Sequence, residues 1–211
     1  MREATRTRRE ALSVIAGGGT LVFSPACLAN SKRPLSKLKF LVTSDTHLGH
    51  KNSTAAEKRW IQTAAELKSA TGDVVLHLGD IVDGGREEQY PVYLRERKKI
   101  GKPVYEIPGN HDPLNLFRKH IRKQVDVSVD HEWLKFVLVS NARTDSHDGF
   151  FTDEQLQWIE SQCIAASMQE RYVMLCLHVP VHSNSHPDRG WYVKPENGQR
   201  ELYDIIERHK Q

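Results

Sequence analysis

Short apolar runs alternate along the chain with longer stretches in which apolar residues return every three or four positions. The runs near residues 38–43, 73–78, 104–107, 125–130, 136–140 and 172–178 have strand length. The spacing elsewhere predicts helices over about 53–69, 87–100, 114–122, 152–165 and 199–210. The best-marked start lies in "FTDEQLQWIESQ": Thr152 can cap a helix, Gln155 can reach back to the cap, and Leu156 and Ile159 supply the apolar stripe. This alternation predicts an α/β domain of crossover units with a largely parallel sheet. No internal repeat interrupts it, and the one linker-like segment is "SKRPLSK", residues 31–37.

At 211 residues, with 38% apolar and 27% charged positions, the chain has the composition of one globular domain. Its formal charge is +3, but residues 1–29 hold four arginines against two glutamates, so the rest is nearly neutral. Without a basic run, nucleic acid is not favoured as a partner.

Residues 1–29 read as an address. Paired Arg8 and Arg9, a moderately apolar stretch from Leu12 to Phe23, and small residues at Cys27 and Ala29 follow the order of a secretory signal. The twin arginine resembles the Tat type. Cleavage near Ala29 and export to the periplasm or another extracytoplasmic space are the expectations. Gly17–Gly19 and Pro25 keep the segment well short of the ~20 apolar residues of a membrane span. No integral span is therefore expected after cleavage. Cys163 and Cys176 fall on a predicted helix and a predicted strand; they read as two buried thiols, with a disulfide between them as the alternative.

In α/β sheets, ligands gather where strands end and loops leave. Four strand ends here carry metal-capable side chains. The first, in "FLVTSDTHLGH", delivers Asp45 and His47. The second runs into "GDIVDGG" with Asp80 and Asp83, and the third into "PGNHD" with Asn110, His111 and Asp112. The fourth, "YVMLCLHVPVH", ends at His178. Each alone is an ordinary turn, cap or edge histidine. Together they bring oxygen and nitrogen ligands to one edge of one sheet.

The motifs DxH, GDxxD, GNHD and HxP, in this order, resemble those of the calcineurin-like metallophosphoesterase superfamily over residues 38–211. The resemblance implies a four-layer α-β-β-α sandwich and two divalent or trivalent transition-metal ions (Mn, Fe or Zn). It implies Asp45 and His47 on one ion, Asn110 and His178 on the other, and Asp80 between them. Hydrolysis of a small phosphate ester, mono or di, would use a hydroxide shared by the ions as nucleophile. His111, oriented by Asp83, would serve the leaving group. Carboxylate, imidazole and amide donors without thiolates suit such ions independently.

The family pattern continues to a strand carrying Gly-His-x-His, which supplies two more ligands. The sequence stops at "GQRELYDIIERHKQ", so the domain reads as C-terminally incomplete, with a second sheet lacking strands and bearing an unpaired edge. A catalytically impaired binding or scaffold protein is the alternative to an enzyme. The helix before the HxP strand resembles the class III cyclic-nucleotide phosphodiesterase branch. The loop after it, "HVPVHSNSHPDRGWYV", offers His182, His186, Arg189 or Trp191 to a substrate.

Overall fold

The computed structural model describes residues 20–24, 37–51, 53–182 and 190–210. Its first sheet contains β2 (Phe40–Thr43), β3 (Val74–Leu78) and β4 (Val104–Ile107), all parallel in the order β2-β3-β4. Helices α1 (Ser53–Ser69) and α2 (Tyr90–Ile100) make the two crossovers, and α3 (Leu114–His120) follows β4. The second sheet has β1 (Thr20–Ser24), β5 (Val127–His131), β6 (Leu134–Leu138) and β7 (Tyr172–Leu177) in the order β1-β7-β6-β5. Helix α4 (Asp153–Met168) connects β6 to β7, and α5 (Gln199–Arg208) comes last.

Strand alternation sets the layers. In β3, Val74, Leu76 and Leu78 point to one face, where they meet Leu134, Phe136 and Leu138 of β6 and Met174 and Cys176 of β7. That is the contact between sheets. On the opposite face, Val75 packs with Trp60 of α1 and Tyr93 of α2. The outer face of the second sheet, with Val137, Val173, Leu175 and Leu177, packs against Leu156, Ile159 and Cys163 of α4 and Leu202 and Ile205 of α5. Three cores therefore separate four layers, the α-β-β-α sandwich expected.

Three expectations need correction. The four ligand-bearing strand ends do not share one sheet, since β2, β3 and β4 belong to the first and β7, which leads to His178, belongs to the second. The second sheet is mixed, because β5 and β6 are joined by a two-residue turn, Glu132-Trp133, with Glu132 at φ 49°, and so short a return permits only antiparallel pairing. Its edge along β7 is also covered: Thr20–Ser24 pairs with it antiparallel, Thr20 opposite Leu177 and Ser24 opposite Val173. "TLVFS" is apolar and partly β-branched, which suits a strand. Apart from β1, the export signal read from the sequence lies outside the described residues. Among the described residues, no helix is long and apolar enough to cross a membrane.

The start of α4 is as the sequence predicts: Gln155 N–H donates to Thr152 Oγ1 (3.1 Å) and Thr152 N–H to Gln155 Oε1 (3.1 Å). Cys163 and Cys176 are buried and unbridged, and burial pushes the Cys163 thiol up to about 11.

One buried polar residue ties the helical core to the loops above it. His77, on the helix-facing side of β3, is fully buried, with its ring against Trp60 (6.0 Å) and Tyr93 (5.4 Å). Its Nε2 lies 3.0 Å from the Thr46 hydroxyl, while Nδ1 has no partner. Thr46 Oγ1 can itself donate to Ile81 O (3.0 Å), so His77 Nε2–H donates to Thr46 and the imidazole is neutral. Burial depresses its pKa to about 3 from the ordinary 6.5. Below pH 6.5 the unfolded chain therefore takes up a proton that the folded one refuses, and stability falls as pH drops towards 3. The full loss is on the order of 5 kcal/mol. In denaturant unfolding at pH 7, 6, 5 and 4, His77→Asn is expected to be the less stable at pH 7 and to approach the parent protein in acid. A gap that stays constant with pH would contradict the assignment.

Candidate metal centre

Parallel pairing of β2 and β3 does not stop where the strands end. Asp45 N–H donates to Gly79 O (3.0 Å), His47 N–H to Asp80 O (3.0 Å) and Leu48 N–H to Ile81 O (3.1 Å). The DTHL and GDIVD loops thus climb side by side, with Thr46 Oγ1 bridging to Ile81 O. Asp45, His47 and Asp80 all have positive φ, at 57°, 40° and 54°. Non-glycine residues avoid this region, and three such residues at neighbouring strand ends mark a site held under strain.

Asp80 stands at the centre, 3% exposed. Its Oδ1 accepts the His111 N–H at 2.9 Å, which ties it to the GNHD loop. Its Oδ2 lies 3.2 Å from His47 Nε2 and 3.5 Å from His178 Nε2. Asp45 Oδ1 is 3.7 Å from His47 Nε2, and Asn110 Oδ1 is 3.3 Å from His178 Nε2. Asp45, His47, Asp80, Asn110 and His178 are therefore brought together, with Asp80 between the two imidazoles. The approach is close enough to demand glycine at 79 and 109: a Cβ on Gly79 would strike the His178 ring, and one on Gly109 would strike Asp80.

The tautomers show what this cluster is built to hold. His178 Nδ1 lies 2.7 Å from Leu78 O, a partner that only accepts, so Nδ1 carries the proton and Nε2 turns its lone pair to Asn110 and Asp80. His47 Nδ1 lies 3.2 Å from Asp83 Oδ1, leaving Nε2 towards Asp45 and Asp80. Lone pairs of imidazole, amide and carboxylate thus face each other without protons between them, and cations fit there. The Asp45 carboxylate beside His47, helped by Asp80 and Asp83, raises its pKa against the cost of burial. Asp45 is lowered; burial pushes its carboxyl up, and His47, Ser44 and His178 together outweigh that.

Asp83 stands among three imidazoles. Its Oδ1 is 3.2 Å from His47 Nδ1, 3.0 Å from His50 Nδ1 and 3.3 Å from His111 Nδ1. These imidazoles hold its pKa down despite partial burial. His111 Nδ1 accepts a backbone N–H, from Gly84 at 3.1 Å. Neutral His111 therefore carries its proton on Nε2. His50 escaped the sequence reading, although its place three residues after His47 in "HLGH" was visible.

A cavity of about 380 Å³ opens over the cluster, lined by Asp45, His47, Asp80, Asn110, His111 and His178 together with His147, Val179, Pro180 and Trp191. That volume accommodates a phosphate ester with an organic group. Of the residues read as substrate contacts, Trp191 is at this wall. His182 is exposed, with Nδ1 3.5 Å from the Tyr203 hydroxyl, and is not part of the lining. His186 and Arg189 lie outside the described residues. His147 was missed, since nothing around it in "RTDSHDG" signals a site.

Residues 38–206 match the family model described as calcineurin-like phosphoesterase. The chain belongs to that family. A probable glycerophosphodiester phosphodiesterase of Arcobacter nitrofigilis is 29% identical over 155 residues, covering 65% of this chain and 55% of that protein. A probable cyclic nucleotide phosphodiesterase of Coxiella burnetii is 26% identical over 155 residues, covering 70% and 62%. The chain thus spans a little over half the length of these curated relatives. Among solved structures, a dimetal phosphatase from Danio rerio superposes with a TM-score of 0.64 at 14% identity, over 82% of this chain and 78% of that one. A purple acid phosphatase from yellow lupin gives 0.56 at 17%, over 76% and 34%. These two likenesses are of fold.

Within the phosphoesterase domain, Asp112 is the joint that sequence left unassigned. Buried to 1% exposure, it accepts Ile81 N–H (2.9 Å) and Gly109 N–H (3.0 Å) on Oδ2, and Val82 N–H (3.1 Å) and Tyr90 O–H (3.3 Å) on Oδ1. Burial pushes its pKa up to about 6, against the pull of those backbone donors. It clamps the GDIVD loop to the GNHD loop. Similarly, Asn141 Oδ1 accepts His178 N–H (3.2 Å) and Val179 N–H (3.1 Å), and its Nδ2 donates to Val179 O (2.7 Å), which fixes the HVP segment. Asp112→Ala strands three buried N–H groups and is expected to cost roughly 2 to 4 kcal/mol in denaturant unfolding. It should also weaken metal uptake, measured by titration with Mn. Full stability together with unchanged uptake would contradict the clamp.

Proposed function

We propose that the protein is a two-metal hydrolase of phosphate esters, with phosphodiesters, the class named for its relatives, as the first substrates to test. The observation that carries this reading is the inward turn of the His47 and His178 lone pairs onto Asp80, beside Asp45 and Asn110. Asp45 and His47 would hold one ion, Asn110 and His178 the other, and Asp80 both; Mn, Fe and Zn suit these donors. When bound, such ions acidify water and neutralise charge on the phosphoryl group.

The chain's own residues account for the rest. Asp83 holds His47 in the tautomer that binds through Nε2, and Leu78 O does the same for His178. His111, with its Nε2–H left free by the Gly84 contact, donates that proton to the departing ester oxygen as the P–O bond breaks. Water supplies the oxygen that replaces it on phosphorus. The φ strain at Asp45, His47 and Asp80 fits ligands set in place before the metal arrives.

With Mn-loaded protein and bis(p-nitrophenyl) phosphate, Asp80→Asn is expected to lose both metal stoichiometry and turnover. His111→Ala should lose about a hundredfold or more in kcat with metal content nearly intact. Stoichiometric binding of a single ion by the parent protein, with Asp80→Asn harmless, would sink the two-metal reading.

The export reading belongs with this proposal. Residues 1–29 serve as a twin-arginine signal, and cleavage near Ala29 would release β1 from β7. Replacing Arg8 and Arg9 together by lysine is expected to leave precursor in the cytoplasm, measured by fractionation. An unchanged exported fraction would rule the twin-arginine route out.

A further inference from the structure

Two aromatic residues of the cavity wall have no part in the proposed metal binding or proton transfer: Trp191 and His147. Trp191 is 60% exposed, an unusual position for the largest apolar side chain, and its backbone sits at φ 65°. A bulky residue adopts that region only when its surroundings impose it. Here they do. Trp191 N–H donates to Asp148 Oδ1 at 2.7 Å, and Asp148 Oδ2 is paired with Lys194 Nζ at 2.7 Å. Gly149 N–H donates to Tyr192 O at 3.2 Å, and Val193 N–H to Pro180 O at 2.8 Å, which anchors the segment to the strand end that carries His178. The Trp191 and His147 rings lie 5.4 Å apart, inclined at 55°. Strain and hydrogen bonding are thus spent on presenting an aromatic wall to the cavity rather than on burying it.

We propose that Trp191 and His147 form an aromatic subsite that receives a planar ring on the organic group of the phosphate ester, with the ring stacked on Trp191 and His147 beside it. The inference rests on the phosphoesterase reading, since the phosphoryl group is placed at the metal cluster and the ring at the adjoining wall. Stacking is the matching chemistry: the indole and imidazole stand together at one wall, and Val179 and Pro180 supply the remaining apolar lining. A planar ring on an ester can come from a nucleobase or from a simple aryl group.

The test uses phosphonate isosteres, which lack the scissile P–O–C linkage, in calorimetric titrations of Mn-loaded protein. One pair is the isosteres of AMP and of ribose 5-phosphate; the other is benzylphosphonate and propylphosphonate. Within at least one pair, the aromatic member is expected to bind about tenfold more tightly or better, in line with base stacking on aromatic side chains. Which pair shows the preference tells nucleobase from aryl ring. Trp191→Ala should abolish that ratio, Trp191→Phe should keep most of it, and His147→Ala should reduce it. Equal affinity within both pairs, no binding by any of the four, or a ratio that survives Trp191→Ala would overturn the subsite. A separate failure is distinguishable: no turnover of aryl or alkyl phosphate esters would remove the hydrolase reading, while the binding ratio would still be measured.

Discussion

The structure turns on a buried acid that has to sit between two imidazoles. Asp80, at the exit of the central strand β3, is nearly sealed from water, with one oxygen on the His111 N–H and the other between His47 and His178. A carboxylate in such a place is costly unless hydrogen bonds and a cation answer it. The surrounding architecture supplies the first and prepares for the second. Both sheets contribute: β2, β3 and β4 bring Asp45, His47, Asp80 and Asn110, and β7 brings His178 from the opposite layer. The core between the sheets therefore fixes the distance between the two halves of the site.

Around this acid lies a set of groups whose work is positional. His77 steadies Thr46, Asp112 clamps two loops, Asn141 grips the backbone after His178, and Asp83 orients His47. His77 acts through the Thr46 hydroxyl, and the others act through backbone groups or the far side of His47, as expected where contacts must be held to a fraction of an ångström. The positive φ of Asp45, His47 and Asp80 is the counterpart of that rigidity. Such strain persists because neighbouring hydrogen bonds over-determine it, and the same holds at Trp191, where Asp148 fixes the backbone.

The second sheet shows how much a single edge matters. β7 carries His178 and the core residues Met174 and Cys176, and its outer side is paired with β1. A segment whose composition suits export also suits a strand, because both need a short apolar run with few charges. In the structure these residues pair with β7; under the export proposal, cleavage would remove them.

Much of the site was legible in the sequence because its residues lie in compact motifs at strand ends, where period and composition change together. The helix start at Thr152, the α/β alternation and the group Asp45, His47, Asp80, Asn110 and His178 followed from such local signals. The family match over residues 38–206 agrees with them. What stayed hidden depends on contacts between distant segments. His147 reaches the cavity only because its loop packs beside residues 190–194, and Asn141 meets His178 across 37 residues. The pairing of Thr20–Ser24 with β7 spans most of the chain. Local periodicity cannot encode those approaches, since they arise from how sheets stack and loops close over them. The sequence by itself determined which side chains could bind metal; the tertiary structure decided which ring nitrogens face inward, which carboxylate lies between them, and which aromatic wall stands beside the site.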